Sequence, residues 1–183
     1  MNGAAAPPPT LRTARLVVAP FTLADAPFIL RLLNEPSFHE HIGDKGVRSL
    51  EQAQAYLSDG PIRSYAANGF GLCRVALGEE GPAIGMCGLI RRDGFDTPDL
   101  GYAFVPEAWG RGLAREAAAA TLAFGRERLG LDRVIALVLP GNTRSIRLLE
   151  ALGFRYERRV ALPGLAVEDA LYALDLRSAE ASA

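Results

Sequence analysis

The run Val105-Pro106-Glu107-Ala108-Trp109-Gly110-Arg111-Gly112-Leu113-Ala114-Arg115-Glu116-Ala117 joins a strand directly to a helix. Before it, Asp99 to Val105 is apolar and β-prone. After it, residues 110–129 are rich in alanine, leucine and arginine, and Ala114, Ala117, Ala118, Thr121, Leu122 and Gly125 share one helical face. Small residues on that face let a helix lie close on a sheet. Gly110 and Gly112 remove side chains where the backbone must turn. The first amides of a helix have no partner within it and sit at the positive end of the helix dipole. A turn of this kind can hold phosphate oxygens.

Outward from this run the chain alternates strands and helices. Gly130 predicts the end of the helix, and Arg133 to Leu139 a buried strand parallel to 99–105, because a helical crossover separates the two. Asn142 predicts the start of a short helix ending at Gly153. Arg155 to Leu162 and Glu168 to Asp175 then form a final hairpin. On the N-terminal side, Phe70 to Leu77, Ala83 to Arg91 and Asp99 to Val105 are separated by short turns, which requires antiparallel pairing. A five-residue first turn would set Cys73 opposite Cys87 as reduced, space-filling thiols. Arg12 to Phe21 predicts a first strand. Thr22 or Asp25 caps a helix carrying Ala26, Ile29, Leu30 and Leu33 and ending by Asn34. Ser49 with Gln52 caps another that runs to about Ser58 and stops at Gly60-Pro61. The result is one mixed α/β domain over residues 11–176, with residues 1–10 and 177–183 as loose tails.

Three phosphate-binding readings of the central turn compete, beside a plain tight turn without ligand. A Walker loop needs a lysine that this turn lacks. A dinucleotide fingerprint is met by Gly110 and Gly112, with Asp132 twenty residues past Gly112. However, Arg115 occupies the position where a small residue is needed for close helix–strand contact. The third reading is a coenzyme A pyrophosphate site.

Bulk properties narrow the partners. The 183 residues carry a net charge of -1, which disfavours nucleic acid as a partner. No apolar run approaches membrane-spanning length, and the start MNGAAAPPPT lacks the basic and apolar regions of a secretion signal, so a cytoplasmic location is expected. His39 and His41 flank Glu40 at a spacing that does not suit a metal pair on one helix face, and no metal site is expected. Lys45 is the only lysine; all other basic side chains apart from the histidines are arginines.

The string Trp109-Gly110-Arg111-Gly112-Leu113-Ala114-Arg115-Glu116-Ala117 resembles the acetyl-CoA loop of the GNAT acetyltransferase superfamily, in the branch near the RimJ/RimL ribosomal-protein acetyltransferases. Gly112 and Ala114 match the family form, and Trp109 stands where glutamine or arginine is usual. Thirty residues past Gly112, the segment Asn142 to Phe154 is similar to the family signature N-x-x-S-x-x-L-x-x-x-L-G-F. Arg15-Leu16 and Leu100 to Phe104 also look like that branch.

The resemblance implies a GNAT fold in which antiparallel strands precede a β-α-β unit whose parallel strands splay apart. It implies acetyl-CoA as acyl donor, with the pyrophosphate on the amides of Gly110, Arg111, Gly112, Leu113, Ala114 and Arg115. The pantetheine arm would run between Phe104 or Val105 and the strand 134–139, with a contact from Asn142. A backbone N–H near Phe104 or Val105 would polarise the thioester carbonyl.

Ser145 matches a hydroxyl able to protonate the leaving thiolate. Position 149, where many members carry a tyrosine, is Leu149. Asp99, then Glu107, are the candidates for taking the amine's proton. Arg115, Arg144 and Arg147 are candidates for the CoA phosphates. Tyr102 and Phe104 face either the acceptor pocket or the core according to the strand's register, and the plainer reading of each is core packing. The region from Phe38 to Arg63, with His39, His41 and Arg48, falls on the acceptor side. The expected reaction is direct transfer to a primary amine, either a protein N-terminus or a small molecule, by a monomer or homodimer. Rival readings are an acyl-CoA-binding sensor without turnover and a nicotinamide-dependent oxidoreductase.

Overall fold

The expected first strand folds back on itself. The computed structural model describes residues 5–162 and 167–177. In it, β1 (Leu11–Arg12) and β2 (Leu16–Pro20) form a small antiparallel hairpin, with Leu11 opposite Val18. The Thr13 hydroxyl accepts from the Leu16 amide at 2.9 Å, and this local bond turns the chain where alternation alone suggested continuity. Residues 5–10 are irregular, yet Ala5 N–H donates to the Ala66 carbonyl at 2.8 Å and Pro8 is buried.

Helix α1 (Ala26–Leu33) is entered through a short 3-10 turn. There the Thr22 amide donates to Asp25 at 2.8 Å, and Asn34 ends the helix. Ala26, Ile29, Leu32 and Leu33 are buried. Each large one contributes roughly 1.5–3 kcal/mol of apolar burial.

A helix not anticipated follows at α2 (Pro36–His41). Helix α3 (Leu50–Leu57) starts on Ser49, whose hydroxyl accepts from the Gln52 amide as the capping box requires. It does not stop at Gly60-Pro61. A π-helical turn over Ser58–Ile62 takes the proline in, and α4 (Arg63–Asn68) continues to Gly69 at φ 74°. The wider turn lets the backbone pass a residue that has no N–H to give.

Strands β3 (Leu72–Leu77), β4 (Ala83–Ile90) and β5 (Asp99–Phe104) are antiparallel neighbours. Cys73 lies opposite Cys87; both are buried free thiols, and burial pushes each up to about 12. Helix α5 (Leu113–Leu129) crosses to β6 (Arg133–Val138), which runs parallel to β5. A Cβ on Gly125 would meet Leu89 and Leu131 at 3.3 Å, so the small residue sets how closely α5 approaches the sheet. Helix α6 (Thr143–Ala151) leads to β7 (Arg155–Val160) and β8 (Asp169–Asp175). The eight strands form one sheet in the order β1-β2-β3-β4-β5-β6-β8-β7. No helix among the described residues is long and apolar enough to cross a membrane.

The junction of β5 and β6 positions the site. Only Asp99 and Ile135 are in register, and the Ile135 amide donates to the Pro98 carbonyl at 3.0 Å. The next amide of β6 on that side, Leu137, donates to the Asp99 carboxylate at 3.3 Å. Beyond that point the two strands diverge as a V.

Candidate active site

A cavity of about 490 Å³ opens along this V. Phe104, Trp109, Ala114, Asn142, Arg144 and Ser145 line one end. Backbone parity decides which β5 groups face the gap. Val105 N–H donates to the Ile84 carbonyl at 2.9 Å, so it points at β4. Amides alternate sides along a strand, so those of Tyr102 and Phe104 point into the gap. Of the two amides expected to polarise a carbonyl, that of Val105 is therefore already used, and that of Phe104 faces the opening.

The turn that follows is built for exposed amides. A 3-10 turn at Pro106–Ala108 leads to Gly110 and Gly112, both left-handed at φ 71° and 74°, and α5 begins at Leu113. Only glycine adopts this conformation freely. The amides of Leu113, Ala114 and Arg115 lie in the first turn, where no helical carbonyl reaches them.

Side chains from outside the run hold the turn in place. The Arg15 guanidinium donates to the Arg111 carbonyl at 2.9 Å and pairs with Glu116 at 2.6 Å. Glu116 also accepts from the Thr13 hydroxyl at 2.6 Å and from the Arg15 amide at 2.9 Å. The Thr13 bond first, with Arg15 beside it, holds the Glu116 carboxyl below its ordinary range. Trp109 fixes the other flank. Its indole N–H donates to the Phe104 carbonyl at 2.9 Å, and the Arg144 guanidinium stacks 4.2 Å over its ring. Of the remaining arginines, Arg115 donates to the Ala151 carbonyl at 3.3 Å, while Arg111 and Arg147 are exposed.

At α6, Asn142 caps the helix by accepting from the Ser145 amide at 3.1 Å. The Ser145 hydroxyl lies 2.6 Å from the Tyr102 hydroxyl. Tyr102 is thus more than core packing: it brings a phenol from β5 to the serine of α6. Burial, partly offset by the serine, pushes that phenol up to about 12, so it stays protonated. Leu149 is fully buried in the cavity wall. The phenol that position 149 lacks arrives from another element. The alternation of β5 put Tyr102 on one strand face, but nothing in the sequence showed that this face meets Ser145.

Asp99 is 2% exposed. Its Oδ2 accepts from Arg92 Nε at 2.9 Å and Nη2 at 2.5 Å. Burial raises its carboxyl, with Arg92 opposing. It lines the cavity at the closed end of the V. Glu107 lies outside that lining; its side chain is exposed and paired with Arg31 at 2.7 Å. Of the acceptor-side candidates, His41 lines the cavity. His39 lies 3.7 Å from Asp44, and Arg48 is paired with the same Asp44. Among the described residues no cluster of three metal-ligating side chains occurs.

The dinucleotide reading fails on geometry. Asp132 follows the far end of α5, about 25 Å from Gly112 for a helix of 17 residues, and is paired with Arg177 at 3.1 Å. It cannot reach a ligand seated on the glycine turn.

Comparison with known proteins agrees with this geometry. Residues 15–155 match the acetyltransferase (GNAT) domain. An uncharacterized N-acetyltransferase of Bacillus licheniformis, p20, is 30% identical over 152 residues, spanning 81% of this chain and 83% of that protein. The crystal structure of an acetyltransferase from Agrobacterium tumefaciens strain C58 is 29% identical, with a TM-score of 0.77 over 91% of this chain and 94% of that one. RimJ of Mycobacterium smegmatis, solved with a CoA disulfide, has the same fold, with a TM-score of 0.74 at 21% identity over 90% of this chain and 83% of its own. With the splayed β5 and β6, the glycine turn and the capped serine helix all in place, the chain belongs to the GNAT family of N-acetyltransferases.

Proposed function

We propose that this chain transfers an acetyl group from acetyl-CoA directly to a primary amine while both are bound. The observation that carries the reading is the V between β5 and β6, which brings the gap-facing amides of Tyr102 and Phe104 and the Ser145–Tyr102 hydroxyl pair to one opening. The residues present fit a coenzyme A: amides at Leu113 to Arg115 without helical partners for the pyrophosphate, Arg144 and Asn142 lining the cavity, and a gap between β5 and β6. When bound, it supplies the acetyl thioester. The Phe104 amide donates to the oxyanion that develops on the carbonyl, a contribution of about 3 kcal/mol where such donors have been removed. Asp99 lies five residues back along β5, roughly 16 Å from the Phe104 amide, so it takes the amine's proton through a chain of water; burial raises its carboxyl, with Arg92 opposing. Ser145, with Tyr102 behind it, returns a proton to the departing sulfur. Glu107 holds Arg31 across the approach to the glycine turn.

Thermal unfolding with acetyl-CoA, followed by a thiol-release screen over amines, tests this. Ligand at about 100 times its dissociation constant adds roughly 2.7 kcal/mol, which in a domain this size raises Tm by roughly 5–10 °C. A rise with acetyl-CoA and none with NADH, together with thiol release on adding an amine, is expected. A rise without thiol release from any amine would leave a binding module.

A further inference from the structure

The acceptor end of the cleft holds two cations. Lys45, the only lysine of the chain, lines the cavity from the loop after α2, and Arg92 lines it from the end of β4. Their hydrogen-bond inventories differ. Arg92 commits Nε and Nη2 to Asp99, leaving Nη1 without a partner among the described residues. The Lys45 ammonium has no carboxylate within 4 Å and no hydrogen bond among the described residues. The other charged groups nearby are accounted for. Glu35 pairs with Arg31 at 3.4 Å, Asp99 accepts from Arg92 and Leu137, and Asp169, which feels the Arg92 charge, does not line the cavity. His41 also lines this end. A ligand arriving here therefore meets spare donors and positive charge.

The same cavity is also lined by the apolar side chains of Leu32, Phe38, Ile42, Leu72 and Met86. Partial burial, with the Arg92 guanidinium alongside, pushes the Lys45 ammonium below the ordinary lysine range, as expected of a cation without a counter-ion. The same side chain borders a second cavity that shares Tyr56, Leu72 and Ile90 with the first, so it stands at a partition between the two.

We infer that Lys45 and the spare Nη1 of Arg92 form an anion site, and that the acceptor is a small primary amine bearing a carboxylate on an apolar skeleton. The inference rests on the proposed transfer to an amine. The two ends of such a zwitterion find opposite partners: the amine lies toward Asp99 and the opened strands, and the carboxylate lies at Lys45. Charge-assisted hydrogen bonds of this kind are the strong ones, and they discriminate sharply against an uncharged isostere.

The test uses the full chain with acetyl-CoA and matched acceptors: L-phenylalanine against L-phenylalaninamide, and L-leucine against L-leucinamide. Rates are corrected for the fraction of free amine. The acids are expected to exceed the amides in kcat/KM by about tenfold or more. Lys45→Met should remove that preference and Lys45→Arg should retain it, with the Tm rise on acetyl-CoA kept in both. A second readout needs no turnover. In the presence of CoA, N-acetyl-L-phenylalanine should raise Tm more than N-acetyl-L-phenylalaninamide, and Lys45→Met should abolish the difference. Thiol release without acid preference, or a preference untouched by Lys45→Met, overturns the anion site and leaves the transferase reading standing. A Lys45-dependent Tm difference without thiol release from any amine upholds the anion site and overturns the transferase reading. Neither signal overturns both.

Discussion

The two ends of the cleft are built from different materials. The end proposed for the cofactor is mostly backbone: the amides of the Gly110–Arg115 turn and the gap-facing amides of β5, with the side-chain cap at Asn142, all supplied by two short runs of chain. The end proposed for the acceptor is side chain, with Phe38, Lys45, Tyr56, Arg92 and Asp99 gathered from separate elements. A backbone site asks the sequence only for glycines and caps, so many sequences can preserve it. A side-chain site changes with each substitution. One fold can thus keep a cofactor and exchange its acceptor.

Gly112→Val attacks the cofactor end hardest. It forces a branched side chain to φ 74° and displaces the start of α5. Misplacement of a binding group by 1 Å can cost about 100-fold, and a loss of that order in acetyl-CoA affinity is expected, with no rise in Tm on adding it. Unchanged acetyl-CoA binding, measured by calorimetry, would break the comparison.

Next come the two hydroxyls that join the ends. Ser145→Ala and Tyr102→Phe should each lower kcat by roughly 10²-fold at saturating acetyl-CoA, the low end for general acids. If they pass one proton as a pair, the double variant is no slower than the worse single one. A multiplied loss would separate their roles.

The smallest effect concerns the brace. Glu116→Gln weakens the tie among Thr13, Arg15 and the turn, and should cost about 0.5–1 kcal/mol, because the Arg15 side chain is half exposed. The Glu116 carboxyl lies below its ordinary 4.5 in the folded chain. Its stabilisation is therefore full above about pH 4.5 and is lost as the pH falls through the lowered value. Denaturation against pH should show an acid-side slope in the native chain that is reduced in Glu116→Gln. An unchanged slope would remove the charge from the account of the brace.

What could be seen in advance follows the same division. The turn at Gly110–Gly112, the Asn142 cap, the Ser49 cap and the antiparallel placement of Cys73 against Cys87 are local or follow from turn length, and each stands where expected. The Tyr102–Ser145 contact spans 43 residues and Arg15–Glu116 spans 101, and no periodicity encodes such meetings. The passage of α3 through Pro61 escaped notice because a π turn offers proline a place that the ordinary helix denies it. The helix at Pro36–His41 is only six residues long and shows too little periodicity to announce itself. Arg12 to Phe21 alternated like one strand, while the Thr13 hydroxyl folded it into two.

The Asp99–Leu137 bond at the closed end of the V has a consequence for solubility. Two inner strand margins, with amides and carbonyls unpaired, are the kind of surface on which another chain can grow a ladder. An added strand needs about 4.8 Å on either side along its length. A gap pinched shut at Asp99 denies it that room. The taper leaves amides facing the gap only toward the wide end, so an incoming strand finds no ladder to continue at the closed end.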